Sequence, residues 1–302
     1  MAHTITFSMR VFSATAASED QYDLGEGPVW DAPRERLLWV DINPGLVYTG
    51  HLSDGLVRPD VRLRFGETVG TVVSSADGRL LVAGARRLYE VDDEWRCEPL
   101  VDVVPESKRS RLNDGACDPA GRFLVGSMAQ DARRGEECLY RLEPDGAVTV
   151  LDSDLTISNG LAWSPDGTVM YSTDTIPGVV WAREYDPDHG DHGARREVIR
   201  LGQGGWPDGL CVDAEGNLWV AIWGGGEVRC YSPDGDRLAT VSVPAPHTTS
   251  VAFVGPERDT LLITTATDQL SAAQLDAFPL SGRIFEAHVG VAGLPTVPWA
   301  GR

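Results

Sequence analysis

The sequence predicts an all-β fold: a six-bladed β-propeller with four-stranded antiparallel blades around a central channel. Three observations carry this. An apolar run, a short turn containing Asp, Pro or Gly, and a second apolar run recur six times along the 302 residues. The turn glycines Gly78, Gly121, Gly167 and Gly216 stand 43, 46 and 49 residues apart, about one propeller blade each. No helical periodicity competes with the strand pattern.

The six copies read, in chain order, GPVWDAPRERLLWVD (27–41), TVVSSADGRLLVAG (71–84), GACDPAGRFLVGSM (115–128), GLAWSPDGTVMYSTD (160–174), GLCVDAEGNLWVAI (209–222) and SVAFVGPERDTLLITT (250–265). After a copy comes a second hairpin-like segment, such as LYRLEPDGAVTVL (139–151) or VRCYSPDGDRLATVSV (228–243), which completes four strands with another PDG turn. Radial repetition of such sheets makes one propeller domain spanning 1–302. The segment TITFSMRVFSA (4–14) precedes the first copy and is expected to pair with the last blade, covering sheet edges and closing the ring.

Composition excludes several classes of function. Lysine and arginine total 26 against 45 aspartates and glutamates, and the net charge of −19 repels phosphate backbones and anionic lipid. No nucleic-acid or membrane partner is therefore expected. The acids are scattered and serve solubility. Five cysteines with no CxxC pair suit reduced thiols, not a disulfide framework or zinc cluster. The N-terminus carries an ATA triplet of signal-peptidase type, but its apolar run is broken by Ser, Thr and Arg10. A cytoplasmic protein, monomeric or weakly dimeric, is the expectation.

The repeats also hold their polar residues in phase. Aligned on the residue before the turn (Trp30, Ser74, Cys117, Trp163, Val212, Phe253), the position four residues earlier reads Glu26, Gly70, Asn113, Asn159, Asp208 and Thr249. In a propeller these positions start the innermost strands and converge at one end of the channel. A single NG or DG is accounted for by local backbone hydrogen bonding. Four carboxylate or carboxamide side chains at one phase of four repeats, several residues from the turn, point instead to a shared site. Carboxylate and carboxamide oxygens without His or Cys suit a hard divalent cation such as calcium or magnesium, with manganese, iron and zinc compatible. The six histidines show no HExxH spacing, and there is no GxSxG elbow or Walker loop. Glu215 and Gly216 fall at the turn phase.

The segments GEGPVWD, RLNDG, ISNGLAWS and PDGLCVDAEGNLWVA, in this order along nearly the whole chain, resemble the senescence marker protein, gluconolactonase and regucalcin family of six-bladed propellers. The resemblance implies a metal-dependent hydrolase of sugar lactones with one divalent cation at the channel mouth, calcium first among the candidates. By motif its metal residues fall on Glu26, Asn159 and Asp208. Asp208 is the candidate general base for a metal-activated water. Arg111 and Asn113 are implied to contact substrate hydroxyls or that water, and Asp114 is a weaker candidate. Animal members carry a glutamate after their MAEE segment, whereas this chain has SMAQDAR; Asp131 there leaves the sugar undefined. Trp206, two residues before Asp208, is expected to stack on a sugar face, and Trp223 to pack in the core. Two alternatives remain: a hydrolase of non-sugar lactones, esters or phosphotriesters on the same metal site, and a non-catalytic calcium-binding propeller.

Overall fold

The structure is a computed structural model and describes residues 9–301. Six antiparallel sheets form a six-bladed propeller. Blade one contains Gly25–Asp31, Arg36–Asp41, Leu46–Ser53 and Leu56–Arg64; blade two contains Thr71–Ser74, Leu80–Ala83, Arg87–Val91 and Cys97–Asp102. Blade three runs through Ser110–Cys117, Phe123–Ala129, Glu137–Leu142 and Val148–Leu155, and blade four through Ser158–Trp163, Val169–Asp174, Val179–Glu184 and Arg196–Arg200. Blade five takes Trp206–Val212, Leu218–Trp223, Glu227–Tyr231 and Arg237–Ser242, and blade six Thr248–Val254, Thr260–Thr265 and Phe285–His288. The first strand of each blade packs against the first strands of its two neighbours, so these six strands surround the axis.

Apolar side chains on both faces of each sheet explain the near-continuous hydrophobic runs. In Arg36–Asp41, Leu37 and Trp39 join blade six's Leu262 and Ile284, while the alternate residues Leu38 and Val40 join blade two's Val72 and Val82. A buried cluster of this kind lies at each blade-to-blade interface. The turns fall where the sequence places them. In 213–217 the Asp213 amide donates to the Asn217 carbonyl at 3.0 Å, and Gly216 takes φ 89°, a left-handed conformation that favours glycine. Asp213 accepts from the Glu215 and Asn217 amides and from Trp219 Nε1, fixing the turn to the strand after it.

Closure of the ring departs from the expected pairing. Residues 4–8 lie outside the described residues, and Arg10–Ser13 pairs not with the last blade but in parallel with Arg237–Ser242, as a fifth strand of blade five. Thr15–Ala16 then becomes the fourth strand of blade six, antiparallel to Phe285–His288. Only two residues complete that blade, so the residues before them occupy the adjacent edge of blade five. Across Ala14, whose amide donates to Ser242, the chain steps from one edge to the other.

The C-terminal segment is a strap. It bonds blades five and six through the amide of Ala214 to the carbonyl of Ala292 and the amide of Gly293 to the carbonyl of Arg258. It then reaches blades two and three, where the Trp299 amide donates to Ser74 and the Ala300 amide to Gly121. Trp299 is buried in the cluster between those blades. Leu294, Pro295, Thr296 and Val297 line one end of an axial cavity of about 440 Å³. No helix among the described residues is long and apolar enough to cross a membrane.

Candidate functional site

The phase positions do converge, through a backbone device invisible in composition. Five of the six inner strands carry a register shift at this level: between Glu26 and Val29, Leu112 and Gly115, Asn159 and Leu161, Pro207 and Leu210, and Thr248 and Val251. A β-bulge takes residues out of the ladder and re-aims their side chains, here toward the axis. Blade two, whose residue is Gly70, has a regular ladder in the corresponding strand. The glycines after Asn159 and Asp208 are there for space. A Cβ on Gly160 would sit 2.6 Å from the Asp208 carbonyl oxygen, and one on Gly209 would sit 2.2 Å from Ser250 Oγ. Neither has a positive φ, so the NG and DG pairs here are close approaches between inner strands rather than turns.

Glu26, Asn113, Asn159 and Asp208 are all buried. Asn159 Nδ2 donates to Asp208 Oδ1 and, at 3.1 Å, to Thr175 Oγ1. Asn159 Oδ1 is buried and has no hydrogen-bond partner among the described residues. Exchanging the two amide atoms would set two oxygens against each other, so the free atom is the oxygen. Glu26 Oε2 accepts from the Gly27 amide at 2.9 Å. Arg111 Nη1 donates to Asn113 Oδ1 at 2.7 Å, and Asn113 Nδ2 donates to the Ser158 carbonyl at 3.0 Å. Thr249 Oγ1 donates at 2.6 Å to the Gly25 carbonyl, tying blade six to blade one.

The electrostatics are unbalanced. Burial, then the charges of Asp208 and Asp114, push the Glu26 carboxyl well above the usual range. Burial and Asp114 do the same to Asp208, and burial lifts Asp114 to about 6. Burial lowers Arg111 to about 10 against the pull of Glu26, Asp268 and Asp208, so it stays charged at neutral pH. Three carboxyl groups thus share one low-dielectric region with one guanidinium, and full ionisation of all three would leave the region two positive charges short of neutrality. Among the described residues no three His, Cys, Asp or Glu side chains are grouped as a metal centre. The mixed set of Glu26, Asp208 and the free Asn159 oxygen nevertheless has the hard-oxygen chemistry that a divalent cation accepts.

The chain matches the model of the SMP-30/gluconolactonase/LRE-like region over residues 24–267. It belongs to that family. Among relatives of this SMP-30/gluconolactonase chain, regucalcin of Gallus gallus is 36% identical over 294 residues, covering 93% of this chain and 96% of that one. A protein named 6-deoxy-6-sulfogluconolactonase, from Pseudomonas putida, is 36% identical over 282 residues, covering 92% and 95%. The crystal structure of a calcium-binding protein, regucalcin from Agrobacterium tumefaciens, superposes with a TM-score of 0.91 at 30% identity, covering 97% of this chain and 99% of that one.

Not every expected residue joins the cluster. In this family member Asp131 is exposed and accepts from Arg133 Nε at 2.7 Å, while Arg133 Nη2 is anchored on the Arg109 carbonyl and Ser110 Oγ. Trp206 begins the inner strand of blade five and is 47% exposed, unlike the buried tryptophans of the core. Trp223 pairs with it across the ladder and stacks on His247, with ring centroids 4.0 Å apart. Asp114 proves to be an electrostatic partner of both Glu26 and Asp208 and also lines the axial cavity. Thr175, the partner of Asn159, is missed by the phase comparison because it follows a second strand, Val169–Asp174.

Proposed function

We propose that the chain hydrolyses a sugar lactone, with Asp208 as general base and a divalent cation held by Glu26, Asn159 and Asp208. The observation that carries this is the unpartnered, buried oxygen of Asn159, whose amide nitrogen bonds Asp208, with the equally buried Glu26 acted on by the Asp208 charge. The name of the Pseudomonas putida relative supports the reaction, and that of the calcium-binding regucalcin neighbour supports calcium as the first candidate metal. Zinc, manganese, magnesium and iron fit oxygen donors as well. A divalent cation bound there supplies Lewis-acid polarisation of a carbonyl and a lower pKa for an attacking water.

The side chains do the rest. Asp208, held by Asn159 Nδ2, has a carboxylate oxygen left to take the proton of the attacking water. Arg111 uses Nη1 on Asn113 and the Leu112 carbonyl, which leaves its other N–H groups for lactone oxygens. Asn113 spends its own amide on Arg111 and Ser158, so it acts by aiming Arg111. Trp206 offers an exposed ring for a sugar face. Asp131 has one carboxylate oxygen on Arg133, which leaves the other for substrate.

Acid release from D-glucono-δ-lactone, followed in a pH-stat before and after chelation and with each metal restored, tests the reading. Chelation should abolish turnover, restored metal should return it, and Asp208→Asn should lower kcat by about a hundredfold or more. Equal rates with and without metal, or no opening of any lactone in a panel of five- and six-membered rings, would sink it.

A further inference from the structure

The residues two places before the phase positions form a second tier, one step toward the mouth: Leu24, Thr68, Arg111, Ile157, Trp206 and His247. In blade three the tiers touch, since Arg111 bonds Asn113. His247 is the tier's member from blade six. Its ring stacks on Trp223 at an interplanar angle of 15°, and its Nδ1 lies 2.9 Å from the Asp268 carbonyl oxygen. A carbonyl only accepts, so Nδ1 carries the proton. His247 also bridges to Trp223, which pairs across the ladder with Trp206, so His247 stands beside the blade-five member of the same tier. Burial lowers the His247 pKa, so the ring is neutral at pH 7 and Nε2 is an acceptor. Nε2 has no partner among the described residues, and it is not among the side-chain atoms sealed from solvent.

We infer that His247 is a substrate-recognition residue, whose Nε2 accepts a hydrogen bond from a ring hydroxyl of the lactone. The inference rests on the lactone-hydrolase reading and adds a hydroxyl requirement to it. The Trp223 stack and the Asp268 carbonyl lock the ring before substrate arrives, so little ordering cost remains on binding.

The test compares wild type with His247→Phe, which keeps the stack and loses the acceptor, and His247→Gln, which returns an acceptor near Nε2. D-glucono-δ-lactone and δ-valerolactone, which lacks hydroxyls, are the substrates, and an unchanged thermal midpoint establishes that each variant folds. His247→Phe should raise KM for the hydroxylated lactone about threefold to tenfold with kcat little changed, as expected for one neutral hydrogen bond. KM for δ-valerolactone should not move, and His247→Gln should recover part of the loss. Equal kinetics on both substrates, or equal losses on both, overturns the inference. If wild type opens neither lactone, the lactone reading fails separately, and calorimetric binding of D-gluconolactam decides His247: tighter binding to wild type than to His247→Phe upholds it, and equal or absent binding refutes it.

Discussion

Gly160 leaves no room for a methyl group, because the neighbouring inner strand passes where its Cβ would be. Gly160→Ala should therefore cost about 1–3 kcal/mol, read from urea unfolding, although alanine is ordinarily the better residue in a chain of regular structure. Asp208 behaves in the opposite way. Its carboxylate is held against burial and the charge of Asp114, so Asp208→Asn should raise the thermal midpoint of metal-free protein at pH 8 while removing activity. A lower midpoint would mean that the carboxylate serves the fold. Glu26, Asn113, Asn159 and Asp208 were legible in the sequence because a propeller brings one phase of every repeat to the same axis. Thr175 and the Asp131–Arg133 pair were not, because a second-strand end and a side chain's choice of partner are not fixed by that phase. Asp114, a weaker candidate in the sequence, lies one residue past the shared phase, so its action on Glu26 and Asp208 emerges only in the fold.

At the scale of elements, the bulges do what the repeat pattern alone cannot. The spacing of turns specifies six blades, but the shift of register at each bulge lies in backbone geometry, for which NG and DG are an ambiguous signal. The same ambiguity explains the first strand. Apolar alternation marks 10–13 as a strand without choosing between two adjacent edges, and hydrogen bonding places it on blade five. Removing residues 1–16 should expose the outer edges of blades five and six together, and the shortened protein should associate on size-exclusion chromatography. The C-terminal strap has a comparable anchor in Trp299, 2% exposed between blades two and three. Trp299→Ala should cost about 3–5 kcal/mol in urea unfolding if that ring is packed as a core residue.

For the molecule as a whole, the site works against the net charge of −19. Folded Glu26, Asp114 and Asp208 bind protons more tightly than the unfolded chain does. Their contribution to stability is therefore fully present below the ordinary carboxylate range near pH 4 and is lost as pH rises through the raised values, about 6 for Asp114. The metal-free protein should lose thermal stability between pH 5 and pH 8 by more than Asp208→Asn does. Calcium should restore it at pH 8 far more than at pH 5, where protons compete for the same oxygens. Calorimetric scans at the two pH values check both. The double seam of the ring also bears on the order of synthesis. Arg10–Ser13 and Thr15–Ala16 leave the ribosome long before their partners, Arg237–Ser242 and Phe285–His288. These strands must stay unpaired while the blades between them and their partners are made, so the nascent chain carries adhesive segments through that whole interval and completes its circle only when the partners arrive.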